Sequence, residues 1–317
     1  MKAWLACLLL LASLSAAGEE FPSRPVRILV GFTPGGGPDI TARQLAHRLG
    51  ELWKQQVIVE NRPGAGGTLA AAQVAKSAPD GYTLLSVSSA HAIAPAIYSR
   101  LPYDTLKELA GITQTGTSKY VLVAAPSQGW KSLKDLIAAA KAQPGQINFS
   151  SAGVGSGTHF AGEIFKAMAQ IDVVHVPFKG IPEALTETFT GRVHFFLAPI
   201  ANAVAPVKDG RLLGLGVSMP ERDALLPDVP TVDEAGVPGY QTDLWFGLLT
   251  SSAVPRPIIE KLNRDIVRVL GEPDLKSRWS AIGIVPTPMT PQAFDQRIRE
   301  QVEVFTRFAR AANIRAD

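Results

Sequence analysis

Two glycine-rich stretches hold the residues best placed to do chemistry. The first is Thr33-Pro34-Gly35-Gly36-Gly37-Pro38-Asp39, after an apolar run and before a helix-like segment opening at Ile40. The second is Ser151-Ala152-Gly153-Val154-Gly155-Ser156-Gly157, before a helix-like segment opening at Thr158. At a helix start the first backbone N–H groups lack partners and the helix dipole adds partial positive charge. Glycine also lets a ligand approach the main chain. The chemistry on offer is anion binding, with Asp39 expected to cap the first helix.

A nucleotide phosphate is the obvious anion, but the spacing fails. With Gly35 and Gly37 as the first pair, the third glycine position is Ile40; with Gly153 and Gly155 it is Thr158. Glu60 ends a strand as a dinucleotide fold requires, yet no acid ends the run Val173 to Pro177, and neither loop continues into a P-loop Gly-Lys-Ser/Thr. Catalytic patterns are equally absent. Val154 stands two before Ser156, so there is no G-x-S-x-G, and the five histidines form no H-x-x-x-H pair. No metal or cofactor is expected. His47 falls on a polar helix face, and His175 and His194 sit in strand-like runs and read as packed. His159, in the first turn after the second loop, reads equally as a ligand contact and as a structural hydrogen bond. Asn61 to Gly67 is a third glycine cluster, read as a tight connector ahead of a ligand contact, and Trp245 is read as core.

The elements that must hold these loops alternate. Strands are expected at Val26–Phe32, Val57–Glu60 and Tyr82–Val87, with helices at Ile40–Leu52 and Thr68–Lys76. The pattern repeats with strands at Tyr120–Ala125, Asn148–Ser151, Val173–Pro177, Val193–Leu197 and Leu212–Val217. Helices at Leu133–Ala142, Thr158–Met168 and Pro182–Phe189 separate them. An apolar strand at Leu244–Thr250 and helices at Pro257–Leu270 and Pro291–Ala312 close the chain. Short apolar strands between helices predict a mostly parallel α/β sheet. Two such units, each with its own glycine loop, predict two lobes facing one cleft and joined by crossing strands; one Rossmann domain with appended helices is the alternative.

The chain has 317 residues, 46% of them hydrophobic and 19% charged, enough for a large core without cross-links. Its 31 basic and 28 acidic residues give a net charge of +3 without a basic run, so a nucleic-acid partner is not expected. Lys2, the apolar run Leu5–Leu11 and the small residues Ser15-Ala16-Ala17 predict a cleaved signal peptide over 1–17 and a periplasmic location. Cleavage there removes Cys7, the single cysteine, and with it any disulfide or thiol chemistry.

Taken together the motifs resemble the extracytoplasmic solute-binding proteins of tripartite tricarboxylate transporters, the Bug family. The resemblance rests on Pro25–Ile28, Pro34–Asp39, Val59–Gly67, Ala78–Leu85 and Leu101–Asp104. It continues through Asn148–Gly153, Gly157–Glu163, His175–Gly180 and Leu226–Val232, in order along nearly the whole chain. It implies a two-lobed type II periplasmic-binding-protein fold, with lobe 1 spanning 18–121 and 247–317 and lobe 2 spanning 122–246. It also implies a monomeric receptor, not an enzyme, that hands a small carboxylate to membrane permease subunits. The loops matching the family's ligand contacts supply Thr33, Pro34, Gly35, Gly36, Gly37 and Asp39 from one lobe. Ser151, Gly153, Gly155, Ser156, Thr158 and His159 come from the other. Ser88, Ser89, His91, Phe178, Lys179 and the position of Ala198 complete the set. Many family members carry an Asp at that last position, so its absence favours a dicarboxylate or aromatic acid over an amino acid. An exported α/β enzyme acting on a small carboxylate, using His159 or Lys179, and a ligand-presenting partner of a membrane sensor are the alternatives.

Overall fold

The computed structural model describes residues 21–316; the expected signal peptide lies outside the described residues. The chain begins with β1 (Val26–Val30), α1 (Gly37–Trp53), β2 (Val57–Asn61), α2 (Thr68–Ala75), β3 (Thr83–Ser88) and α3 (Ala90–Ile97). The long strand β4 (Leu109–Ala124) follows. It leads into α4 (Leu133–Ala142), β5 (Asn148–Ser151), α5 (Gly157–Ala169), β6 (Val174–Pro177) and α6 (Ile181–Phe189). Next come β7 (Phe195–Pro199), α7 (Ile200–Lys208) and β8 (Leu213–Val217). The chain then returns through β9 (Asp243–Ser251), α8 (Arg256–Leu270), α9 (Pro273–Ser280), β10 (Val285–Pro286) and α10 (Pro291–Ala311).

The strands run in the order β2-β1-β3-β9-β4-β7-β5-β6, with β8 and β10 also paired to β4. Within each lobe the βαβ units pair in parallel, β1 with β2 and β3, and β5 with β6 and β7. Pairs involving β4 and β9 are antiparallel. Strand β4 belongs to both lobes: Leu109 to Lys119 pair with β9, whereas Tyr120 to Ala124 pair with β7 and β8. The fold is therefore the two-lobed α/β architecture, with mixed sheets flanked by helices. Parallel strands end at the same edge, which brings the loops after β1 and β5 to the cleft.

Three helices and much of β4 depart from the sequence reading. Helices α3 and α7 contain Pro95 and Pro206, which disguise them as loops. The first eleven residues of β4 carry Thr113, Gln114, Thr115 and Ser118, all buried although polar. The segment 283–289 covers them: Thr113 Oγ1 donates to Met289 O at 2.9 Å, Gln114 Nε2 to Thr287 Oγ1 at 2.5 Å and Ser118 Oγ to Gly283 O at 2.8 Å. Helix α9, with two buried residues in eight, has too thin an apolar stripe to be read.

Candidate functional site

Both glycine loops end in helices that begin earlier than their sequence suggested. Helix α1 starts at Gly37 with Gly36 as its cap residue, so Asp39 is not the cap but lies within the first turn. Pro38 explains this, because its ring presets a helical φ where no N–H is needed. Helix α5 starts at Gly157, capped by Ser156, whose hydroxyl accepts from His159 N at 3.2 Å. The two helix starts share one cavity of about 420 Å³, lined by Gly36 and Gly37 from one jaw and Ser156, Gly157 and Thr158 from the other. Gly36, Gly37, Gly157 and Thr158 donate their N–H groups to no acceptor among the described residues. The cavity thus has open backbone donors on both sides.

Each jaw glycine at the first helical position lies against an aromatic ring from a crossing strand. A β-carbon on Gly37 would overlap the Phe246 ring of β9. One on Gly157 would overlap the Tyr120 hydroxyl of β4 and lie 2.7 Å from Ser89 Oγ. Tyr120 Oη and Ser89 Oγ are buried with no well-aligned hydrogen-bond partner among the described residues. Burial drives the Tyr120 phenol well above its ordinary pKa, and the neighbouring Ser89 hydroxyl offsets this only in part, so Tyr120 keeps its proton. Buried hydroxyls without a partner are costly, so these two are the candidates for contact with a bound molecule. Phe32, Ile181, Leu244 and Phe246 form apolar walls, and none of the residues lining the cavity carries a charged side chain.

The loop before α1 is held by charge. Asp39 accepts from Gly35 N at 3.0 Å, from Arg43 Nε at 3.0 and 3.1 Å and from Asn61 Nδ2 at 2.9 Å. Burial pushes the Asp39 carboxyl up, but those hydrogen bonds outweigh it and hold the carboxyl below its usual range. The loop before α5 is held by neutral groups. Ala152 N donates to Thr158 Oγ1 at 2.9 Å and Gly155 N to His159 Nδ1 at 3.3 Å. His159 stacks on His175 at 4.0 Å between centroids, and His175 Nε2 meets Ser151 Oγ at 2.6 Å. Burial holds His159 down to about 4 and His175 to about 3, the latter helped by His159 and Lys166. His159 is therefore a neutral brace, its Nδ1 accepting a structural hydrogen bond from Gly155 N.

The remaining expected residues fall in three places. Thr33 and Ser88 line the jaw cavity, and Ser89 stands beside it at Gly157. Pro34 is exposed at the loop tip; Gly35 carries the Asp39 bond. Ser151, Gly153 and Gly155 shape the second loop from behind. Phe178 and Lys179 line an outer cavity of about 900 Å³ that adjoins the first through Phe32 and Ala152. The third glycine cluster, read as a connector, lines the same outer cavity through Pro63, Gly64 and Gly66. His91 lines a separate pocket behind β3. Ala198 does not reach the cleft: it is fully buried in the lobe-2 core, and its neighbour Pro199 lines the cavity instead, because adjacent strand residues face opposite ways. The same alternation buries Trp245 and turns Leu244 and Phe246 toward the ligand space.

Tyr120, Phe32, Phe246 and Asn202 escaped the sequence reading. Only Tyr120 left a signal, as a polar aromatic at the head of an apolar crossing strand. Asn202 on α7 donates from Nδ2 to Gly35 O at 3.0 Å, and Thr33 Oγ1 to Glu183 Oε2 at 3.4 Å, so the lobes are in direct contact at the jaw. Beside the cleft, Phe160 of α5 inserts edge-on between Phe305 and Phe308 of α10, at 5.5 and 6.0 Å, with Ile93 and Ile97 completing the socket.

Among the described residues no helix is long and apolar enough to cross a membrane. Residues 41–314 match the family described as "Tripartite tricarboxylate transporter family receptor". The chain is 32% identical over 289 residues to Protein BugT of Bordetella pertussis, covering 90% of this chain and 89% of that one. Its fold matches R. palustris Rpa4515, solved with adipate, at a TM-score of 0.90 with 30% identity, covering 93% of this chain and 99% of that one. MatC from Rhodopseudomonas palustris, solved with bound malate, matches at 0.86 with 32% identity, covering 90% and 99%. With its two facing helix starts and this likeness along nearly its whole length, the chain belongs to the tripartite tricarboxylate transporter receptor family, whose members are solute-binding proteins and not enzymes.

Proposed function

We propose that the protein captures a small carboxylate between its two jaws and delivers it to the permease subunits of a tripartite tricarboxylate transporter. It would do so as a monomer in the periplasm, after removal of a signal peptide. The observation that carries this reading is the set of open N–H groups at Gly36, Gly37, Gly157 and Thr158, joined by the unpartnered hydroxyls of Tyr120 and Ser89. These can satisfy carboxylate oxygens without a buried cation, and so without the desolvation cost of an ion pair.

Dicarboxylates and aromatic acids fit better than amino acids. The lining offers no carboxylate to pair with an ammonium group, while Phe32, Ile181, Leu244 and Phe246 suit an apolar carbon frame. The relatives solved with adipate and malate support the class. We place the lobe crossings where the pairing of β4 changes, between Lys119 and Tyr120, and where β9 begins, at Asp243. Lobe 1 then ends slightly earlier than 121 and resumes slightly earlier than 247.

Calorimetry and thermal shift against succinate, adipate, malate, benzoate, aspartate and glutamate test the reading. Saturable binding of the dicarboxylates or benzoate, with a raised melting temperature and no turnover, is expected. Tight aspartate or glutamate binding with no response to the other acids would overturn it.

A further inference from the structure

Behind the jaw cavity lies a second, small pocket, between the ends of β1 and β3, the start of α2 and one face of α3. Phe32 and Ser88 line both spaces, so the pockets share a wall. Most polar atoms facing the rear pocket are already engaged. Ser86 Oγ donates to Pro38 O at 2.9 Å, Thr68 Oγ1 donates to Ala65 O at 2.9 Å and Ser88 Oγ accepts from Ala90 N at 3.4 Å. His91 is the exception. It is 5% exposed, and its buried Nε2 has no hydrogen-bond partner among the described residues. A buried ring nitrogen without a partner costs on the order of 1–3 kcal/mol, so its survival in a packed pocket calls for an occupant.

We propose that this rear pocket is a second subsite of the same cleft, taking a hydroxyl substituent of the carboxylate held by the jaws, with His91 Nε2 as the group that recognises it. The proposal rests on the reading of the jaws as a carboxylate clamp. A hydroxyl fits because it can donate to or accept from Nε2, whichever tautomer the ring adopts. A second carboxylate does not fit, because the Ser86, Thr68 and Ser88 hydroxyls of the pocket are already engaged and His91 Nε2 alone cannot satisfy two charged oxygens. Burial holds His91 down to about 4, so the ring stays neutral at neutral pH and supplies no compensating charge. A site built around a hydrogen bond to a substrate hydroxyl discriminates strongly against the analogue that lacks it, because the polar group is then left bare.

The test is calorimetry with malate against succinate, which share a four-carbon dicarboxylate frame and differ by one hydroxyl. The wild-type protein should bind malate at least tenfold more tightly. His91→Phe should erase that preference by lowering malate affinity to about that of succinate, and His91→Gln, which keeps a donor and an acceptor, should retain part of it. Should His91→Phe fail to fold, the His91→Gln and His91→Leu pair reads the same difference. Equal affinity of the wild type for both acids overturns the proposal, as does a parallel loss for both acids on substitution, which would make His91 a packing residue. Absence of binding to every acid tested would overturn the clamp itself, and the subsite with it.

Discussion

The two jaws hold similar sets of helix N–H groups toward one cavity, yet the loop before α1 is tied by a carboxylate, a guanidinium and an amide, and the loop before α5 by hydroxyls and imidazoles. Asp39 is 5% exposed at its side chain, but its partner Arg43 is 50% exposed, so the first network reaches water. In the second, Ser156, Thr158 and His159 are all buried. A charged brace tolerates partial hydration because each ion can be resolvated. A buried neutral brace depends on every donor finding its acceptor. The first jaw is thus keyed to the ionisation of one acid, and the second to two histidines staying uncharged.

Substitution at the helix starts should separate the jaws most. The Phe246 ring that a β-carbon on Gly37 would meet is itself buried, so Gly37→Ala forces that ring aside and should act mainly on stability. Gly157→Ala instead crowds Tyr120 and Ser89, the hydroxyls left open to the ligand space, and should act mainly on binding. We expect Gly157→Ala to weaken carboxylate binding on the order of a thousandfold, about 4 kcal/mol, with a small drop in melting temperature. Gly37→Ala should lower stability by about 1–3 kcal/mol, the usual cost of overpacking. Paired calorimetry and thermal melts read both. Equal effects on both quantities in both variants would erase the distinction.

The jaws also differ in how legible they were. Both glycine loops and the strands feeding them stand out in the sequence, since Gly, Pro and capping residues punctuate apolar runs. What sequence hides is the direction from which a distant segment arrives. Tyr120 and Phe246 meet the jaw glycines only because β4 and β9 cross beneath them, and nothing local to Tyr120 encodes that encounter. Asn202 lies on a helix masked by Pro206. Ala198 was placed in the cleft by family likeness, and the two-residue period of β7 turns it into the core. His159 shows the converse: its type suggested chemistry, and burial made it a brace.

Acid should strike the second jaw first. His159 has a folded pKa near 4, below its ordinary 6.5, so between these values the unfolded chain binds more protons and stability falls as pH drops. The loss should be on the order of 2–3 kcal/mol by pH 4 for His159 alone. His175, lowered to about 3, adds to it. Glu163, whose Oε1 lies 3.7 Å from His159 Nε2 and whose carboxyl is pushed up by burial, gains its own proton more easily when folded and offsets part of it. Melting temperature followed from pH 7 to pH 4 should decline, and His159→Gln should flatten the decline. A flat wild-type profile would show that protonation of this pair is not coupled to folding.

The first jaw should respond less, and in a lower pH window. Asp39 has a folded pKa below its ordinary 3.8, so it contributes stability above that value and loses it as pH falls through the folded one. Asp39→Asn keeps the shape but gives up the charge-assisted bonds from Arg43 and Gly35. Because the Arg43 side chain is half-exposed and can rehydrate, the cost at pH 7 should be only about 1 kcal/mol. Urea unfolding of wild type and variant should give that gap at pH 7 and show it closing below pH 3.8, where the wild-type carboxyl also becomes neutral. The histidine brace loses its contribution equally in both proteins, so the gap isolates Asp39. A gap that persists unchanged at low pH would mean that Asp39 acts through shape and not charge, and the two jaws would then be braced alike.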